Sequence, residues 1–156
     1  MNDKKVASIL KEVKRYFGYL YDMDYEVKGV DYHPESSGNW EVVLETQDSI
    51  LEICKDRGEI MVYFVPLNRD RRYRIGIKAV IYYLTQGQKF IDFYNGNLFW
   101  GKNKQFQELA KLLKDYIEQI TPYFGNRFHA YREDLLSAQR DHFRLAAEHR
   151  MKENKN

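Results

Sequence analysis

Cysteine and proline are scarce in this chain of 156 residues, which holds one Cys and three Pro. The single Cys54 cannot close a disulfide within the chain or complete a Cys-rich zinc site, so a reducing, cytoplasmic setting is expected. Long apolar runs are missing as well. No stretch of about 18 apolar residues occurs, so no membrane-spanning helix and no membrane partner are expected. The opening MNDKKVASILKEVKRYF lacks the apolar core and small-residue cleavage site of a signal peptide.

Motifs for common chemistries are absent too. Neither phosphate-cradling pattern, G-x-x-x-x-G-K-[ST] or G-x-G-x-x-G, is present, and neither is G-x-S-x-G or H-E-x-x-H. No catalytic residue and no cofactor are therefore expected. The four histidines are His33, His129, His142 and His149. His129 and Glu133 stand one helical turn apart. His142 and His149 stand two turns apart, as do Asp134 and Asp141. Pairs of this kind begin a metal site but do not complete one, which usually needs three or four ligands. No metal is expected, and the histidines read as solvent-facing.

What is present is a globular composition, 44% hydrophobic and 31% charged, at the size of one domain. Residues 1–150 read as a single α+β domain with a frayed tail over 151–156. The pattern runs N-terminal helix, four-stranded antiparallel meander, then C-terminal helices packed on the sheet. Val6, Ile9, Leu10, Val13, Phe17 and Leu20 recur at helical spacing over 3–20. A strand is expected over 24–32 and a loop over 33–39. Trp40, Val42 and Leu44 alternate with Glu41, Val43 and Glu45. In the next strand Leu51 and Ile53 share one face, while Ile50, Glu52 and Cys54 share the other. Residues 60–65 are apolar throughout, as in a strand covered on both faces. Helices are expected over 75–86, 104–120 and 127–149. The segment 89–101 is open between a hairpin at Asn95-Gly96 and a helix extension.

Between the third and fourth strands, Lys55-Asp56-Arg57-Gly58 suits a type I turn followed by a left-handed Gly, a three-residue hairpin with a bulge. Cys54 beside it has no His close in sequence to activate it and reads as structural.

Net charge is only +2, but it is unevenly placed. Residues 21–66 carry eleven acids and three cations, whereas 67–78 carry five cations and one acid. Alternation places Glu41 and Glu45 on one face with Glu52, among apolar groups such as Val43, Cys54, and Met61 or Tyr63. With Glu59 added, an acidic sheet face of this kind would steer a basic protein partner. The plainer alternative is an outer face wetted by Glu. The tract NRDRRYR offers Arg69, Arg71, Arg72 and Arg74 around Tyr73, a pattern that suits phosphate contacts and base stacking. Its plainer alternative is that these arginines pair with the sheet's carboxylates. Twenty-four aromatics, 13 of them Tyr, add a further apolar segment from Phe90 to Trp100. A homodimer through that segment or through the second sheet face is also open.

Three stretches, RYFGYLYDMDYEV, ICKDRGEI (I-x-x-D-R-G-x-[IV]) and ELAKLLKDYIEQI, occur here in the order found in certain small uncharacterised bacterial single-domain proteins. The chain resembles these proteins, some of which resemble the immunity partners of secreted toxins. Where such proteins continue with an apolar residue and Gly-Asp-Phe, this chain has ITPYFGN. The resemblance implies a non-enzymatic binding protein whose partner is a toxin domain. In that case Glu41, Glu45, Glu52 and Glu59 steer association, and Val43 or Tyr63 supplies apolar contact. The alternative function is a nucleic-acid-binding module using residues 69–74.

Overall fold

Alternating hydrophobicity and three strong helical stripes produce the α+β arrangement expected, seen in a computed structural model that describes residues 3–155. Helix α1 (Asp3–Phe17) buries Ile9, Val13 and Phe17 on one stripe, and the short α2 (Tyr19–Asp22) adds Leu20. Four long strands follow as a meander: β1 (Glu26–His33), β2 (Asn39–Glu45), β3 (Ile50–Asp56) and β4 (Glu59–Val65). The sheet has five strands rather than four. A two-residue β5 (Ile75–Gly76) pairs with Phe64 and Tyr63 of β4, giving the antiparallel order β1-β2-β3-β4-β5. Two residues carry too little periodicity to be recognised in a sequence.

Helix α3 (Ile77–Leu84) leaves the sheet directly from β5. The segment after it resolves as a hairpin: β6 (Tyr94–Asn95) pairs with β7 (Leu98–Phe99). Gly96 supplies the positive φ of 63° at the first central position, as in a II′ turn. Helix α4 (Lys102–Ile120) follows, and α5 (Phe128–Lys155) closes the chain. Helix α5 continues into the expected tail as far as Lys155, and side chains of this last stretch reach the β6–β7 hairpin. Tyr94 Oη donates to Asn154 Oδ1 at 3.0 Å, and the Gly96 N–H donates to Glu153 at 3.4 Å.

The inner sheet face (Trp40, Val42, Leu44, Leu51, Ile53, Ile60, Val62 and Phe64) joins the stripes of α1, α3 and α4 in one core. Phe106 is its hub, stacked on Tyr16 at 4.8 Å and on Trp40 at 6.1 Å and edge-on to Phe17. Rings in these geometries add to the burial they already provide. Gln105 beside it is fully buried and fully satisfied. Its Oε1 accepts from the Ile60 N–H at 2.8 Å, while Nε2 donates to the Gly58 carbonyl at 2.9 Å and the Trp100 carbonyl at 2.7 Å.

The β3–β4 turn differs from the expected three-residue form. Asp56 pairs directly with Glu59, leaving Arg57 and Gly58 as the only loop residues. Both have positive φ, 47° and 90°, as in a I′ turn, whose twist matches that of the flanking strands. A left-handed Arg is unusual. Asn39 holds it in place: its Oδ1 accepts the Arg57 N–H at 3.0 Å, and its Nδ2 donates to Asp56 at 2.9 Å.

Candidate functional site

The outer face of the sheet is built by strand register. Three rungs cross β2, β3 and β4: Glu41–Cys54–Met61, Val43–Glu52–Tyr63 and Glu45–Ile50–Val65. The first expectation about this face holds, because the carboxylates do share it with apolar side chains. Ile50, Cys54 and Val65 are buried yet lie outside the main core. Val43, Met61 and Tyr63 are half-buried.

The charge on that face is not free. The segment after β4, with a short 3-10 turn at Arg71–Tyr73, lays its arginines on the carboxylates. Arg69 forms a two-pronged pair with Glu45, Nη2 to Oε2 being 2.9 Å and Nη1 bonding Oε1. Arg71 donates through Nε to Glu52 at 2.6 Å and through Nη2 at 3.1 Å, and also pairs with Glu41. Arg74 donates to Glu52 at 2.6 Å and lies 3.5 Å from Glu41. Glu52, with a side chain only 1% exposed, thus receives three charge-assisted bonds. Burial pushes its carboxyl above the usual carboxylate range, against the hydrogen bond and charge of Arg74. The open acidic field expected at Glu41, Glu45 and Glu52 is therefore corrected to a neutralised lattice. The physical reason is proximity along the chain, since the +4 segment directly follows the last long strand of the −8 region.

The arginines offer no free phosphate cradle either. Arg69, Arg71 and Arg74 are engaged by sheet carboxylates, and Arg72 is held by Asp70 at 2.7 and 2.9 Å. A phosphate would have to share each guanidinium with the carboxylate already bound to it. Tyr73 is half-buried against Phe128, with Arg72 and Arg132 on its ring.

Glu59 lies away from this lattice, in a groove of about 310 Å³ between β4, α3 and α5. Here the fold gathers Lys78 of α3, Asp92 of the segment after it, and His142 and Arg150 of α5, none of them singled out together by sequence, because they come from three separate stretches. Lys78 is 9% exposed. Its ammonium lies 3.5 Å from Glu59 and 4.2 Å from the centroid of the Phe93 ring. Burial pulls its pKa down, opposed by Glu59 and Asp92. Arg150 grips Asp92 with two bonds at 3.0 and 3.2 Å and lies 3.9 Å from Glu59. His142, expected at the surface, is buried and bonds the Ile91 carbonyl at 2.9 Å through Nε2. The separation of Glu41, Glu45 and Glu52 from Glu59 divides the four expected steering residues between two places.

Burial pushes the Cys54 thiol up to about 12, so it carries no thiolate near neutrality. Among the described residues, no three His, Cys, Asp or Glu side chains are grouped to hold a metal. No helix among them is long and apolar enough to cross a membrane. Comparison with protein-family models, curated proteins and solved structures finds no match.

Proposed function

We propose that the chain is a non-enzymatic protein-binding domain that docks its partner on the outer face of the sheet. The observation that carries this reading is the Arg71–Glu52–Arg74 lattice surrounded by half-buried Val43, Met61 and Tyr63. Arg and Tyr are the side chains that most often anchor protein interfaces. Held in fixed poses by ion pairs and by the sheet, they lose little freedom when a partner arrives. The partner matched to such a face carries both signs of charge around an apolar centre, rather than a uniformly basic patch. In the toxin-immunity reading that partner is a toxin domain with this mixed surface.

Affinity capture from the source cell tests the proposal with three baits: the wild-type chain, Val43→Arg on the sheet face, and Glu118→Arg on the exposed side of α4. A protein held by the wild type and by Glu118→Arg, but lost by a folded Val43→Arg, supports docking on the sheet. Equal capture by all three removes that face from the interface.

A further inference from the structure

The groove between β4, α3 and α5 contains polar groups that the protein itself leaves under-used. The Lys78 ammonium has three N–H donors. Among the described residues its one oxygen partner is Glu59, at the long distance of 3.5 Å. Among the described residues, the Glu59 carboxylate receives this contact and one from Arg150 at 3.9 Å. Asp92, by contrast, is fully engaged by Arg150. So a buried donor, Lys78, and a half-buried acceptor, Glu59, sit side by side in a depression, each short of a good partner, and a ligand that completes both is favoured.

Charge narrows what could do so. Lys78 and Arg150 balance Glu59 and Asp92, so the groove gains nothing from a ligand's net charge. A carboxylate would meet Glu59, and an amine would meet Lys78. Asp56 and Arg57, also in the lining, pair with each other and keep that balance, and Met61, Leu109, Phe143 and Ala146 supply apolar surface beside the polar Gln139 and His142. Phe143 is 67% exposed, an uncovered aromatic among the lining residues. A volume of about 310 Å³ is at the small end of ligand pockets, enough for a one- or two-ring molecule.

We propose that this groove binds a small neutral molecule carrying a carbonyl beside an N–H, the edge of a carboxamide or a lactam. Its oxygen accepts from Lys78, its N–H donates to Glu59, and its apolar body lies against Phe143 and Ala146. The groove borders the docking face and shares Met61 and Tyr63 with it, but the inference rests on Lys78, Glu59 and Phe143, which the docking proposal does not use.

The test is an NMR titration of the full chain with benzamide, uracil, benzoate and benzylamine, followed through backbone amide shifts. Fragments of this size bind at about millimolar strength. The groove predicts shifts centred on Glu59, Lys78 and Phe143 with benzamide or uracil, the stronger of the two telling carboxamide from lactam. Benzoate and benzylamine should bind roughly fivefold to tenfold more weakly, the cost of one like-charge contact. Phe143→Ala, at an exposed position, should keep the fold and weaken the neutral probe several-fold. Lys78→Met should abolish the preference for a carbonyl; Glu59→Gln, which keeps the shape, checks the same edge if Lys78→Met fails to fold. Absence of groove shifts with both neutral probes overturns the proposal, as does equal binding of benzoate and benzamide. Val43→Arg should leave every probe unaffected, which separates failure here from failure of the docking surface.

Discussion

Arg74 lies against the ring of Tyr63, its guanidinium carbon 4.4 Å from the ring centroid, and from the same pose donates to Glu52 at 2.6 Å. Stacking and ion pairing therefore fix one side chain from two directions. Burial pushes the Tyr63 hydroxyl up to about 12, and the positive charge of Arg74 opposes that rise. Arg74→Ala should cost about 2 kcal/mol, because Glu52 stays buried with Arg71 alone. This is less than the full loss of a buried pair, since 34% of the Arg74 side chain meets solvent. A denaturant double-mutant cycle between Arg74→Met and Glu52→Gln should give a coupling of roughly 1–2 kcal/mol. A coupling near zero would mean that the contact contributes nothing.

The left-handed Arg57 is a local strain that the sequence can relieve. Arg57→Asn places Asn-Gly in the I′ turn, and the fold should gain about 0.5–1 kcal/mol in chemical denaturation. Gly58→Ala should lose about 1 kcal/mol, because φ is 90° there. If Arg57→Asn destabilises the fold instead, the turn has a different form.

Gln105 ties the β3–β4 turn and the Trp100 loop to α4 through three backbone groups. Gln105→Leu fills much of the space yet leaves these groups without partners. A loss of about 2–4 kcal/mol is expected in urea unfolding. A loss under about 0.5 kcal/mol would show that water replaces the amide freely.

His142 gives the fold a pH dependence whose sign follows from burial. Desolvation lowers its pKa, the hydrogen bond to Ile91 opposes that, and around it Lys78 and Arg150 lower it while Asp92 raises it. The folded state thus holds the proton less tightly than the unfolded chain does. The stability is complete above the unfolded value of about 6.5 and is lost as pH falls through the lower folded value. The wild-type melting temperature should fall between pH 7.5 and 5.5 more than that of His142→Gln. Parallel curves for the two proteins would remove His142 as the cause.

The strands β2 and β3 were legible from alternation and β4 from its continuous apolar run, and α4 because Phe106, Leu109, Leu113 and Ile117 keep one stripe. Pairing of the arginines with the sheet was legible as an alternative, since opposite charges stand in adjacent segments. The turn at Arg57 was not, because Arg carries no left-handed preference and Asn39 supports it from another strand. The burial of His142 was hidden as well: α5 has a weak apolar stripe, and its partner Ile91 lies in an irregular segment. The groove was least visible, since Glu59, Lys78, Asp92 and Arg150 meet only through the packing of α3 and α5 beside β4.

The neutralised lattice is the claim on which the docking surface rests, and the arginine side chains report on it directly. In a ¹⁵N-resolved NMR spectrum at neutral pH, Arg71 and Arg74 should show separate guanidinium Nη signals, slowed in rotation by their bonds to Glu52 and Glu41. Those signals should collapse toward the free-arginine position in Glu52→Gln. If the wild-type guanidinium groups rotate freely and exchange with water like those of an isolated arginine, the carboxylates are uncovered and the face is an open acidic field.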